Sequence, residues 1–301
     1  MAEQAQESCL RISSFRHSPC RSTSRRVRLG PTLLSWITLN PIRSEHPDVR
    51  PSLRLVHYLW PVVMGGSIVV VVHRATARPI DGIGLALLVS GILVAYSLDR
   101  ILDSPNITRP AWLRASLQIA AASGVAAAVV LLALMPPRTA MLVPLLGVLV
   151  LAYPRLKALP LLKTVLVSAA WTWSVIALPF HDGSWAGWRA WTEPVAIPLT
   201  LIMASACLLC DLKDVRADRE GSVPSLPVLM GERGTIAAAI VLAASGAAVA
   251  LAEQRIGLSV GALGLGLAAL HPSLLARDAV GPLLVDVILT IPGLLIVFHL
   301  V

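Results

Sequence analysis

The sequence predicts an all-α integral membrane protein of about nine transmembrane helices, and three observations predict it. Of its 301 residues, 56% are hydrophobic and only 14% charged, whereas a soluble domain is about half apolar and a quarter charged. Mean hydropathy is +0.75, and the apolar residues fall in long runs divided by short polar loops, as in a multi-pass protein. The basic residues crowd alternate loops. Spanning helices satisfy their own backbone hydrogen bonds in lipid, and the short alternating strand patterns that a membrane barrel requires are absent.

The chain opens on a different composition. Residues 1–54 carry nine Arg, many Ser, few acids and the breaks Pro31, Pro41, Pro47 and Pro51. Three readings stand: a disordered cytoplasmic extension, a transit peptide, or an upstream piece included by an early start codon. No packed structure or catalytic role is expected there. The membrane domain is expected over 55–301.

From there, apolar segments run over 55–72, 80–98, 112–135, 139–153, 164–180, 195–210, 235–251, 256–270 and 281–301. Several fall short of the roughly 20 residues that cross a bilayer untilted, the fourth and eighth most of all. Pro144 and Pro198 are compatible with membrane helices, where neighbouring helices and side chains satisfy the freed carbonyls.

Placing the leader in the cytoplasm puts 20 Lys and Arg on its side of the membrane and 5 on the other. Without the leader the core loops still divide 11 to 5. Positive residues mark the cytoplasmic face, so the amino terminus is expected inside and the carboxyl terminus outside, in a bacterial inner membrane. The formal net charge of +8 therefore belongs to a membrane surface, and no nucleic-acid partner is expected. Trp185, Trp188 and Trp191 on the outer side read as headgroup-level anchors. Cys207 and Cys210 form a CxxC with no second pair and no adjacent histidine, which reads as small apolar helix residues.

The polar interruptions carry the chemistry. Asp211, Asp214 and Asp218 follow an apolar run at i, i+3 and i+7, within roughly 60° on a helix of 3.6 residues per turn. Like charges on one face repel unless something positive lies among them. A solvated turn at the membrane surface is one reading. The other is a hard divalent cation with oxygen ligands, itself bound to a phosphate. Two further clusters share the same membrane side. Asp99 and Asp103 end the second segment four residues apart, on one helix face. Tyr153, Arg155 and Lys157, followed by Lys163, end the fourth. Paired acidic stripes with basic residues between them can hold Mg²⁺ against a diphosphate, with Lys and Arg neutralising the remaining oxygens.

Asp211-x-x-Asp214-x-x-x-Asp218-x-x-Gly221, followed by Ser225-Leu226-Pro227-Val228-Leu229-Met230-Gly231, resembles the second aspartate motif of UbiA-type membrane prenyltransferases. Asp99 and Asp103, with Arg109-Pro110 after them, resemble the first motif. Tyr153 and Lys157 resemble the family's Tyr…Lys element after the fourth span. The order and loop placement agree over 55–301. One departure stands out: where the family's first motif begins with Asn and Asp, this chain has Ala95 and Tyr96, and Ser97 with water is one candidate replacement.

The resemblance implies a UbiA-like helical bundle with a cytoplasm-facing site and a Mg²⁺-dependent transfer of a polyprenyl group from its diphosphate to a lipophilic, aromatic acceptor. Such a reaction serves quinone, pigment or prenyl-lipid synthesis. Carried over residue by residue, it makes Asp99, Asp103, Asp211, Asp214 and Asp218 the metal ligands, with Tyr153 and Lys157 completing the catalytic set. Arg109 and Lys213 would meet the diphosphate, and Tyr153 or Trp171 would present a ring face to the allylic cation, with core packing as the other reading of Trp171. His57 reads as an interfacial or pocket histidine, and Asp286 as an ionisable group inside the last span, a functional candidate by default. Glu220 reads as the partner of Arg216. Two rivals remain: a family member that binds prenyl lipid without turning it over, and an ion-coupled carrier.

Overall fold

The computed structural model describes residues 51–103, 110–141, 143–156, 159–180, 187–220, 224–277 and 279–300, within the unit Asn40–Val301. Residues 1–50 of the leader, the Arg109 and Lys157 positions and the Trp185 position therefore lie outside the described residues, whereas residues 51–54, expected to be unstructured, open the first helix.

The apolar runs form helices: α1 Pro51–Thr76, α2 Gly82–Asp103, α3 Ala111–Leu134, the single turn α4 Pro137–Ala140, α5 Val143–Leu156, α6 Pro160–Ala177, α7 Ala196–Asp211, the short α8 Val215–Glu220, α9 Leu226–Ala252, α10 Ile256–Ala268, the turn α11 Pro272–Leu275 and α12 Val280–Val297. No strand occurs among the described residues. Each of the nine apolar segments falls on a helix, but among the described residues six helices have the length and apolarity to cross a bilayer. Those within α5, α6 and α10 are shorter. At 1.5 Å per residue their length stays below a hydrocarbon core of about 30 Å.

The outer faces confirm the solvent. Ile119 and Val130 on α3 and Val241 on α9 are more than three-fifths exposed, and apolar faces of this extent belong against lipid rather than water. Inside, small residues let helices approach. Ala239, Ala243, Ala247 and Ala250 lie buried along one side of α9, and Ser205 Oγ of α7 donates to the Ala239 carbonyl at 2.8 Å. Along α1 and α12, Ser67 Oγ donates to the Thr290 carbonyl at 2.6 Å, and Trp60 Nε1 donates to Thr290 Oγ1 at 3.2 Å. A Cβ on Gly293 would overlap the Ser67 backbone, so only glycine permits this crossing.

The two ends of the bundle differ in chemistry. At one, loops are tied together: Arg78 pairs with Glu193 at 2.6 Å, the Asp81 carboxylate accepts from the Gly84 amide at 2.5 Å, and Arg255 reaches both Glu253 at 2.6 Å and the Ala75 carbonyl at 2.8 Å. The other end, where α2, α5 and α7 finish and α1, α6 and α12 begin, opens into a cavity lined by carboxylates and lysines.

Candidate active site

The cavity has a volume of about 680 Å³, within the range of small-molecule sites. Its walls obey helical periodicity. On α6 the lining residues are Lys163, Leu166, Val167, Ala170, Trp171 and Ser174; on α7 they are Met203, Ala206, Cys207, Cys210 and Asp211. Both sets repeat at three and four residues, so each helix turns a single face inward. These faces are apolar along most of their length and become charged at one end.

Charge at that end does not serve helix stability. Lys163 occupies the first turn of α6, after Pro160 at its first position, and Asp211 is the last residue of α7. A cation at a helix N-terminus and an anion at a C-terminus both oppose the macrodipole. They offset each other instead: Lys163 Nζ donates to Asp211 Oδ1 in an ion pair whose side chains are 19% and 9% exposed. Charges this well buried persist only when paired.

The second acidic stripe is not one continuous helix. After Asp211 the chain tightens into a 3₁₀ turn, Leu212–Asp214, and resumes as α8. Three residues per turn in the 3₁₀ segment bring Asp214 back over Asp211. Asp211, Asp214 and Asp218 still line the same cavity. Lys213 Nζ lies 3.9 Å from Asp214 Oδ1. Arg216 and Glu220 pair at 3.0 Å on the exposed side, as their spacing predicts.

The run from Ser225 to Gly231 has a structural cause for each distinctive residue. Ser225 is extended before α9 and Pro227 falls in its first turn, where a missing N–H costs nothing. Gly231 has φ 72° and ψ 165° within α9, a region open essentially to glycine alone. It kinks the helix, and Thr235 Oγ1 donates back to its carbonyl at 2.9 Å. This is why α9 begins nine residues before the apolar run at 235.

Asp99 of α2 lines the same cavity. Its Oδ1 is buried without a hydrogen-bond partner among the described residues. Asp103 is the last residue of α2, and its side chain lies outside the described set. Tyr153 and Lys213 line the cavity too, as does Arg100, whose guanidinium lies 5.3 Å from the centre of the Tyr58 ring. Trp171 both lines the cavity and packs edge-on against Tyr96, centroids 6.3 Å apart. Ala95 and Tyr96 face the cavity as well, whereas Ser97 is buried and is not on its wall.

Asp99, the Asp211–Asp218 stretch, Lys163, Lys213 and an apolar chamber thus meet in one place. The model of the UbiA prenyltransferase family matches residues 99–280, more than half the chain. The chain belongs to the UbiA prenyltransferase family. The fold agrees with that of a UbiA homolog from Aeropyrum pernix K1 in its apo form, with a TM-score of 0.60 and 18% identity over 84% of this chain and 100% of that one. A comparison with curated proteins finds no match. The family match begins at Asp99 itself, so α1 and most of α2, with His57, Ala95 and Tyr96, lie outside it.

For a UbiA family member the question is whether these residues fit the magnesium ion implied by the resemblance. Among the described residues no three carboxylate, histidine or cysteine side chains converge tightly enough to enclose an ion. Mg²⁺, however, is ordinarily held by one or two carboxylates, with water and substrate phosphates completing its shell. The unpartnered Oδ1 of Asp99 and the carboxylates of Asp211, Asp214 and Asp218 offer the hard oxygens such an ion takes. The donor set fits.

Lys163 is the residue that sequence reading undervalued, since Lys157 was the lysine singled out in that loop. The signal was present: Lys163 stands three, four, seven and eight residues before Leu166, Val167, Ala170 and Trp171, on the inward face of α6.

Proposed function

We propose that this UbiA family member transfers a prenyl group from an allylic diphosphate to a lipophilic, aromatic acceptor, with its charged end toward the cytoplasm. Family membership supports a prenyltransferase-type function. The observation that carries the reading is the cavity, apolar along its walls and charged at one end by Asp99, Asp211, Asp214 and Asp218 with Lys163, Lys213 and Arg100. The excess of basic residues on one side of the membrane supports the orientation, with the amino terminus inside.

Breaking an allylic C–O bond leaves negative charge on the departing diphosphate, and cations arranged beforehand lower that barrier. Lys163 and Lys213 are suited to the diphosphate oxygens. Asp99, Asp211, Asp214 and Asp218, with Asp103, would hold Mg²⁺, which when bound supplies Lewis-acid stabilisation to the leaving group. The allylic carbon becomes cationic as the bond breaks. Trp171 and Tyr153 present aromatic rings to that charge, and the apolar faces of α3, α5 and α6 keep water from it. The prenyl tail would lie along these same faces.

The test is diphosphate release. Purified protein receives prenyl diphosphates of several lengths with Mg²⁺, with and without lipid extract. Release is expected and depends on the Asp211–Asp218 stretch: Asp211→Ala and Asp214→Ala abolish it, and Asp218→Ala reduces it less. Absence of both release and saturable diphosphate binding would sink the reading. Ala95 and Tyr96 on the cavity wall favour one alternative, a member that binds prenyl diphosphate without turnover, and that protein would show binding without release.

A further inference from the structure

Three polar side chains on the cavity wall are left over by the chemistry above. His57 comes from α1, Tyr96 from α2 and Asp286 from α12, and all three line the cavity. None makes a hydrogen bond to a described residue, and the Nδ1 of His57 is buried without one. His57 and Asp286 are only 4% and 7% exposed. Buried polar groups are ordinarily satisfied, and each exception calls for an explanation.

Helix packing does not supply it. Asp286 stands on the inward face of α12, with Pro282, Val285 and Leu289 at three- and four-residue spacings. Only its backbone carbonyl takes part in the α12 network, accepting from Thr290 Oγ1 at 2.7 Å. Thr290 in turn fixes α12 to Trp60 and Ser67 of α1. The carboxylate is therefore held on a rigid element and aimed into the cavity, as a preorganised recognition group is. Arg100 and Lys213 are the cations that act on both Asp286 and His57. They also border the diphosphate end, so the two regions adjoin. An acceptor must sit beside the diphosphate for its nucleophilic atom to reach the allylic carbon.

We propose that Asp286, with Tyr96 and His57, forms the headgroup site for the acceptor, and that the acceptor is a lipophilic phenol or alcohol whose hydroxyl donates to the Asp286 carboxylate. The term acceptor rests on the transferase reading; the recognition itself does not. A carboxylate offers acceptor oxygens alone and is satisfied by a donor. Asp286 repels an acceptor that carries its own carboxylate, so the site selects against aromatic acids. Tyr96, packed on Trp171, adds a hydroxyl that can donate to the same phenolic oxygen.

Binding tests this directly, on the full chain in lipid nanodiscs with protein-free nanodiscs as background. The probes are a radiolabelled para-alkylphenol and the para-alkylbenzoate of equal chain length, with geranylgeranyl diphosphate titrated in parallel. Wild type is expected to bind the phenol at least ten times more tightly than the benzoate. Asp286→Asn keeps the shape and removes the charge, and should bring that ratio near one. Asp286→Leu should weaken phenol binding by about 10- to 100-fold, the range for a hydrogen bond to a charged group. Geranylgeranyl diphosphate affinity should stay within about twofold. Should the Asp286 variants fail to fold, Tyr96→Phe is expected to weaken phenol binding several-fold. Equal binding of benzoate and phenol by wild type would overturn the proposal. So would an unchanged ratio in Asp286→Asn, or unchanged phenol affinity in Tyr96→Phe. Phenol selectivity that depends on Asp286, in a protein that takes no prenyl diphosphate, would refute the transferase reading and leave the headgroup site standing.

Discussion

Replacing Lys163 by methionine keeps an apolar stem of similar length and removes only the charge. Its partner Asp211 is then a buried carboxylate without its ammonium. Breaking a buried pair from one side costs about 3–5 kcal/mol, because the surviving charge stays in a low-dielectric site. Lys213, 3.9 Å from Asp214 in the next turn, offsets part of this, so about 3 kcal/mol is expected. Thermal unfolding in detergent reads that loss as a fall of roughly 5–10 °C in Tm. A second change separates structure from function. Adding Asp211→Leu removes the orphaned charge, and replacing both members of a buried pair by hydrophobic residues of similar volume is often close to neutral for stability. The double variant should therefore regain most of the lost Tm. It should not regain affinity for prenyl diphosphate, which falls about 10- to 100-fold when a charged donor is lost. With the Asp211 single variant measured alongside, the set completes a double-mutant cycle. A single variant that unfolds at the wild-type temperature would refute the buried-pair assignment. A double variant that binds diphosphate as wild type does would refute the role of Lys163 at the substrate.

Three further outcomes are expected. Gly231→Ala forces a β-carbon into a glycine-only conformation and should cost about 1–3 kcal/mol, visible as a lower Tm; an unchanged Tm would mean that the kink is not required. Gly293→Ala drives a methyl into the Ser67 backbone and should cost about 1–3 kcal/mol through overpacking between α1 and α12, again read by Tm. At the opposite end of the bundle, Glu193→Gln breaks the ion pair with Arg78, whose arginine side is 38% exposed. It should change stability by less than about 1 kcal/mol and leave diphosphate release untouched; a loss of release would show that the two ends are coupled.

Much of the site was legible because its chemistry is local in sequence. The spacing of Asp211, Asp214 and Asp218 was visible without coordinates, and all three line the cavity. So was the pairing of Arg216 with Glu220, an i,i+4 contact. The Lys163–Asp211 pair joins residues 48 apart, and nothing in either stretch names the other. The break after Asp211 was hidden for a different reason. A 3₁₀ turn and an α-helix both place residues three or four apart on similar sides, so the pattern alone does not separate them.

The sequence by itself determined the class of this protein. Apolar runs of bilayer length have few stable solutions besides helices, since lipid offers no partner for an unpaired amide. The basic residues settled on alternate loops, and the acidic motifs at their ends, are properties of the linear order. Tertiary structure alone decided which ends converge. It put Asp99 and Asp211 on the wall of one cavity, brought Lys163 rather than an exposed base to the Asp211 carboxylate, and turned Asp286 of the last helix onto the cavity wall that Tyr96 of the second also lines. Helix rotation and crossing depend on small-residue contacts such as Gly293 on Ser67. Such contacts are summed over many weak packing choices, and no single motif encodes them.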